Sequence, residues 1–443
     1  MLTRDEAHAL LDRVLKLSRF PEISANVDYT QECNTRFANN QITTAGFTTD
    51  LSIRVSVTRD QQTGTTSTTE TSDEALERAV RRAEDMAALT PPNPEHVEPL
   101  EPQKYPDIRA FDEPTAAARS GNLLGAVRAT IQGSAEKKLN SFGFYDVNTS
   151  TMAMANNKGL FGYHARTSAD YSVTARTLDG TGSGWADSQS MRLAEVETQR
   201  VSRSALDRAL RSQNPRRLDP GKYTVILEPA ALQEMLQFMS FSMDTRAADE
   251  GRSFLSKKGG GTLLGEKVLG ENITLRSDPF DPRAPGWPWS WNSLLPAEKT
   301  TWIDKGVVKA MPMDRYWARK TQRQPVPFPA NILMEGGSSS LDDLIASTER
   351  GLLITHFWYI RFLQPDTIQL TGLTRDGLFY IEKGKVQYPV MNFRFNQSVV
   401  SMLNSVEGMT PAVPVGQGGT DPLNLLPTIK VRDFNMSSLS DAV

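Results

Sequence analysis

The sequence has little from which to build a covalent or metal-bound framework. Its 443 residues include one cysteine, Cys33, and four histidines. One thiol forms no intrachain disulfide, which fits a reducing compartment. No Cys-x-x-Cys or His-x-x-x-His pair occurs, so the common sequence signatures of a zinc site are missing. A Gly-x-Ser-x-Gly elbow and a phosphate-binding P-loop are also absent. No apolar run reaches the length of a bilayer span, and the N-terminal MLTRDEAHALLDRVLKL threads charges through its apolar residues. Neither a membrane span nor a signal peptide is therefore expected, and the chain reads as cytoplasmic. The 49 Lys and Arg are interspersed with 52 Asp and Glu, for a net charge of −3. No basic stripe points to nucleic acid, and no acidic block points to a solvated tail.

What is present is ordinary for a globular chain: 39% hydrophobic and 23% charged residues, over a length that suits two or three domains. Ala7, Leu10, Leu11, Val14 and Leu17 fall at helical spacing. Asn39-Asn40 reads as a hairpin turn before the strictly alternating strand Leu51–Val57. Thr71 and Glu74 have the spacing of a capping box for a helix whose buried stripe is Leu76, Ala79, Val80, Ala83 and Met86. Residues 90–108, TPPNPEHVEPLEPQKYPDI, are too rich in proline for helix or central strand and form a connector. A helix over about 112–137 follows. Then comes a second turn, Asn156-Asn157-Lys158-Gly159, a strand-like run Tyr163–Arg176 and a helix over about 192–211. Strands around an Asn-Asn turn followed by a helix thus occur twice, which suggests an internal duplication. The glycines of Gly180–Gly184 and Gly259–Gly261 lack dinucleotide-binding spacing and read as loops.

Proline and polar residues at 215–220 mark a domain boundary, giving an N-terminal domain over 1–215 and a C-terminal domain over 216–443. Tyr223–Leu227 is a strand, and Pro229 opens a helix over about 230–243. Asp278 to Trp291 holds Trp287, Trp289 and Trp291 in an irregular segment. Beyond Leu341, β-rich runs at Leu352–Tyr359, Ile368–Leu373, Leu378–Glu382 and Val386–Phe395 are separated by turn residues, as in an antiparallel meander. Arg375-Asp376-Gly377 reads as a turn.

The stretch GLLIT…TGLTRDGLFYIEKGKV…PV, with TTWIDKGVVKAMPMDRYWARK (300–320), NILMEGGSSSLDDLI (331–345) and PTIKVRDFNMSS (427–438), resembles the C-terminal domain of the TldD/PmbA family of zinc-peptidase-related proteins. The resemblance implies an α/β (α+β) protein. Its N-terminal domain packs helices on mixed strands, and its C-terminal domain is a curled, antiparallel, barrel-like sheet. In that family a His-Glu-x-x-x-His helix and a cysteine near the C-terminus hold zinc. Here Gln233 stands at the first histidine, Glu234 keeps the glutamate and Phe238 replaces the second histidine, while the run Thr410–Leu426 has no cysteine. Gln is a weak neutral ligand and Phe is none, so no metal and no cofactor is expected in this chain. The resemblance is to the PmbA/TldE branch and implies a non-catalytic subunit. Zinc would be held by a TldD-type partner, and peptides would be the substrates. Two alternatives stand beside it. One is a stand-alone hydrolase using Glu234 with His356. The other is a homodimeric peptide-binding scaffold whose contact surface is Trp287, Trp289 and Trp291, residues that equally suit the anchoring of a long loop. A bland reading also exists for each polar candidate: Glu234 as a salt-bridged helix residue, His356 as a hydrogen-bonded structural histidine. His8 and His96 are expected at the surface.

Overall fold

The computed structural model describes residues 1–416 and 418–440. The first half runs α1 (Arg4–Leu15), β1 (Glu22–Ala38), β2 (Gln41–Arg59), β3 (Gln62–Thr68), α2 (Asp73–Leu89), α3 (Glu113–Ala116), α4 (Ser120–Glu136), β4 (Leu139–Asn156), β5 (Phe161–Thr177), β6 (Ser183–Ser190) and α5 (Thr198–Arg211). Its six strands form one antiparallel sheet in the order β3-β2-β1-β4-β5-β6. Asn39 and Asn40 both adopt left-handed backbone angles, φ 50° and 59°, as a two-residue hairpin with the twist of its strands requires. The proline connector carries no helix or strand over 91–109.

The two units of this sheet repeat the same order: a helix, three strands and a helix. The third strand of each carries a glycine under its helix. A Cβ on Gly64 would lie 2.0 Å from the Ala83 carbonyl of α2, and one on Gly184 would lie 2.4 Å from the Ala205 carbonyl of α5. Internal duplication stands as a proposal, which poor superposition of the two units would end. Gly184→Ala is expected to destabilise the protein by about 1–3 kcal/mol, since only backbone can move away. Denaturant unfolding of the variant measures this.

The second half runs β7 (Gly221–Leu227), α6 (Pro229–Ser242), α7 (Thr245–Asp249), β8 (Leu275–Ser277), β9 (Thr300–Asp304), β10 (Val307–Val308), α8 (Arg315–Thr321), β11 (Leu333–Met334), α9 (Leu341–Ala346), β12 (Arg350–Gln364), β13 (Gln369–Glu382), β14 (Lys385–Pro389), β15 (Phe393–Ser398), α10 (Val399–Asn404), β16 (Val406–Met409), β17 (Val413–Val415), β18 (Asn424–Leu426) and β19 (Ile429–Leu439). Its main sheet pairs β12-β7-β19-β15-β13, and β13 pairs again with β12, so the curled sheet returns to its own first strand. One pair, β7 with β12, is parallel, which a pure meander does not contain. Val225, Leu227, Ile354, Phe357, Leu370, Phe395 and Phe434 fill its interior together with Leu232, Met235 and Met239 of α6.

Several local expectations change. Ser72, not Thr71, caps α2, its side chain accepting from the Ala75 amide. The helix expected over 112–137 breaks between α3 and α4, and the one over 192–211 begins as a short 3-10 turn. The runs Ile368–Leu373 and Leu378–Glu382 belong to one strand, β13, so Arg375-Asp376-Gly377 is not a chain-reversing turn. It is a bulge, where pairing shifts register opposite Ile354–His356 and Asp376 takes φ 54°. Ser183 and Gly184 lie in β6 rather than in a loop. His96 is not at the surface: its ring is mostly buried, with Nε2 2.9 Å from Glu22. His8 is half-exposed beside Asp12.

Alternation along β5 explains how the halves meet. Ala169, Tyr171, Val173 and Ala175 face the helices and join their core. His164, Arg166, Ser168 and Asp170 face the other way and are buried nonetheless, because segments of the second half lie across them. Trp287 sits with its ring 5.3 Å from that of His164 and 4.9 Å from the Arg166 guanidinium. A polar layer is thus enclosed between the two halves.

Candidate functional site

The site starts at the N-terminus of α6. Pro229 occupies the first turn, where its missing N–H leaves no hydrogen bond unmade. Arg208 of α5 donates from Nη2 to both Glu228 oxygens, at 2.7 and 2.6 Å, and from Nη1 to the Trp185 carbonyl at 2.8 Å. This pair ties the first half to the start of the helix. With Ala231, Leu232, Met235, Leu236 and Met239 in the core, the opposite side of α6 presents Gln233, Glu234 and Gln237. These residues line a cavity of about 370 Å³ shared with Asp170, Ser172, Trp185, Asp187, His356 and the glycines Gly416 and Gly418.

His356 lies between two carboxylates. Its Nε2 is 3.2 Å from Glu234 Oε1, and its Nδ1 is 3.5 Å from Asp376 Oδ2, an ion-pair distance longer than a well-made hydrogen bond. Trp185 stacks on the ring at 4.4 Å and 16°. The outer groups are anchored in turn: Glu234 Oε2 accepts the Phe357 amide at 2.8 Å, and Asp376 accepts the Ser183 hydroxyl. Burial alone would lower the imidazole pKa, but the contacts and charges of Asp376 and Glu234 outweigh it and raise the value to about 9. Burial likewise pulls the Asp376 carboxyl up, and His356 and Ser183 overcome it to hold the group below its usual range. His356 is therefore a cation at neutral pH, and Asp376 is the anion on its Nδ1 side.

Beyond this cluster lies a row of carboxylates across β4, β5 and β6. Asp146 and Asp170 are cross-strand partners, and Asp187 lies diagonally from Asp170 on β6, paired with Ser172. Burial raises Asp170 to about 8, with the Asp146 and Asp187 charges adding to it. Burial also raises Asp187 to about 6, against the charges of Arg200, His356 and Arg208.

A zinc ion does not fit the motif positions. Gln233 is buried, and its Oε1 accepts from Asn424 Nδ2 at 2.8 Å. Asn424 comes from the run in which the resemblance expects a cysteine. Phe238 packs edge-on against Phe362, with centroids 5.0 Å apart, and both Glu234 oxygens are engaged. Among the described residues no group of three or more His, Cys, Asp or Glu is arranged to hold a metal.

The structure brings Gln233, Glu234 and His356 together and leaves Phe238 outside the cavity. The three tryptophans separate. Trp289 is buried against Tyr105 and Leu160, Trp287 covers Arg166, and Trp291 is exposed near Phe328. Asp376, Trp185, Asp170, Asp187, Gln237 and Asn424 were not singled out as site residues from the sequence. The Arg375-Asp376-Gly377 triplet was the one available signal. Asp170 and Asp187 carry none, because alternation alone cannot say that the polar face of a sheet will be covered.

These features define an α/β scaffold with a polar site beside a helix that holds Gln233, Glu234 and Phe238. Three family models match the chain: PmbA/TldA metallopeptidase domain 1 over residues 27–87, the PmbA/TldA metallopeptidase central domain over 106–213, and the PmbA/TldA metallopeptidase C-terminal domain over 220–438. The chain belongs to the PmbA/TldD family. Its fold is shared with TldE from Thermococcus kodakarensis at a TM-score of 0.83 and 19% identity, covering 97% of this chain and 99% of that one. It is shared too with a modulator-of-DNA-gyrase protein from Bacteroides thetaiotaomicron, at 0.85 and 20%, covering 99% of this chain and 100% of that one. A third such structure, from Thermotoga maritima, aligns at 0.82 and 16%, over 97% and 99% of the two chains. Comparison with curated proteins gave no match.

Proposed function

We propose that this chain is the non-catalytic partner subunit of a TldD/TldE-type metallopeptidase complex, acting in the cytoplasm in the trimming or proteolysis of peptides. A TldD-type subunit supplies the zinc, and this chain completes the chamber and positions substrate. The observation that carries the reading is the fate of the motif helix. Its ligand positions hold Gln233, bonded to Asn424, and Phe238, packed on Phe362, while Glu234 is committed to His356 and the Phe357 amide. An exposed apolar patch on the distal part of β12, formed by Trp358, Tyr359, Phe362 and Leu363, together with Phe241 on α6, suits a subunit contact. No helix among the described residues is long and apolar enough to cross a membrane.

The test is complementation. A TldD-type subunit is expected to hydrolyse peptides at background rate alone and to gain activity when this chain is added, with a hetero-oligomeric native mass. A partner fully active alone would refute the reading.

The 3.2 Å approach of Glu234 to His356 favours a second reading, the stand-alone hydrolase. Its chemistry is poor. Each imidazole nitrogen faces a carboxylate, so below about pH 9 the ring holds its proton and has no free lone pair to act as a base. Peptidase activity of the isolated chain that disappears in His356→Ala would be needed to sustain it. A peptide-binding homodimer is the remaining alternative. Native mass of the chain alone tests it, and with Trp289 buried its contact surface would fall to Trp291 and the β12 patch.

A further inference from the structure

Above about pH 8, where Asp170 is ionised, the lining of the cavity beneath α6 carries more negative charge than it neutralises. Among the described residues His356 is the one cation lining it, and that charge is already shared between Glu234 and Asp376. Arg208 is committed to Glu228, and Arg200 donates to Glu197 and to the Asp187 main-chain carbonyl. Among the described residues neither the Asp170 nor the Asp187 carboxylate has an ion pair or a side-chain hydrogen bond. Asp170 is only 9% exposed and lines the cavity. An ionised buried carboxylate without a partner destabilises a fold, so its presence at the wall of a cavity points to a ligand that supplies the missing charge and donors.

The geometry narrows that ligand. The donor set does not suit a metal ion. Asp170 lies on β5 and Asp187 on β6, with Ser172 the cross-strand partner of Asp187, so the two carboxylates sit on adjacent strands of one sheet face. Trp185, two residues before Asp187 and stacked on His356, gives the cavity an aromatic wall. A planar cation with several N–H donors, able to reach two carboxylates and lie against an indole, is a guanidinium.

We propose that this cavity binds the guanidinium side chain of an arginyl residue in a peptide, between Asp170 and Asp187 and against Trp185. The choice of a peptide rests on the functional reading above; the charge of the cavity does not. Burial has raised Asp170 to about 8, as expected of a carboxylate whose counter-ion arrives with the ligand.

The experiment is calorimetric titration of the full chain, at pH 9 and low salt, with the blocked tripeptide acetyl-Ala-Arg-Ala-amide and with its Gln and Lys counterparts. The arginyl peptide is expected to bind at least about tenfold more tightly than the glutaminyl one, a difference of one charge-assisted contact or more. Asp170→Asn is expected to lose about tenfold in that affinity. Without peptide, the same variant is expected to melt at a higher temperature than the wild type at pH 9, because an unpartnered buried charge has been removed. That second readout also shows that the variant folds, and a merely structural carboxylate would shift it the other way. Equal affinity for Arg and Gln peptides, no binding of any of the three, or undiminished binding by Asp170→Asn would overturn the proposal. A lysyl peptide binding as tightly as the arginyl one would overturn the guanidinium assignment. The titration needs no partner subunit, so its failure is distinguishable from failure of complementation.

Discussion

Replacing His356 with alanine is expected to destabilise the protein by about 3–5 kcal/mol, because it leaves the buried Asp376 and the partly buried Glu234 without their cation. Glu234 and Asp376 each approach the imidazole from opposite sides, and Trp185 closes a third. Loss of the ring also opens a cavity under the indole. His356→Gln should cost less, since an amide donor can still reach one carboxylate. The two variants separate the charge from the packing, and denaturant unfolding reads both. The effect has a pH signature with a definite sign. The folded-state pKa of about 9 lies above the ordinary 6.5, so the stability contributed by the charged ring is complete below about pH 6.5 and is lost as the pH rises through 9. At about 1.4 kcal/mol per unit this is on the order of 3 kcal/mol. The stability gap between wild type and His356→Gln should therefore narrow between pH 6.5 and 9. A gap that stayed constant would mean that the ring is neutral throughout.

Arg208→Ala is expected to cost about 3–5 kcal/mol as well, by leaving Glu228 partly buried without its bidentate partner. The consequence goes beyond stability. Glu228 stands immediately before α6, and Arg208 belongs to α5 of the other half, so the pair sets where the motif helix begins relative to the N-terminal sheet. Arg208 also holds the carbonyl of Trp185, the residue stacked on His356. The variant should thus lose protection from amide exchange at the start of α6 and in β6 together. Protection lost in α5 alone would show that the pair does not couple the halves.

The site was legible in part, and the division has a physical reason. Helix and strand periodicities are local, so α1, α2, the Asn39-Asn40 hairpin, the proline connector and Pro229 at the head of α6 could all be read from the sequence. That Gln233 is a weak metal ligand and Phe238 none is a matter of which side chains carry lone pairs, and holds wherever they sit. Pairing the strands was different. That β7 lies parallel to β12, and that β13 is one bulged strand rather than two, depends on contacts more than a hundred residues apart in the first case and on backbone register in the second. The bulge is what aims Asp376 at His356, and a sequence pattern with a glycine after an aspartate fits a turn equally well.

By itself, then, the sequence determined the kinds of local element and which side chains stand at the motif positions of α6. Tertiary structure alone decided that Glu234, His356 and Asp376 meet, that Asn424 reaches Gln233, and that the polar face of the N-terminal sheet is covered rather than wet. Burial is a property of what lies across a surface, and the segments that cover β5 come from more than a hundred residues further along the chain. An aspartate on an alternating strand carries no mark of that until the chain has folded back over it.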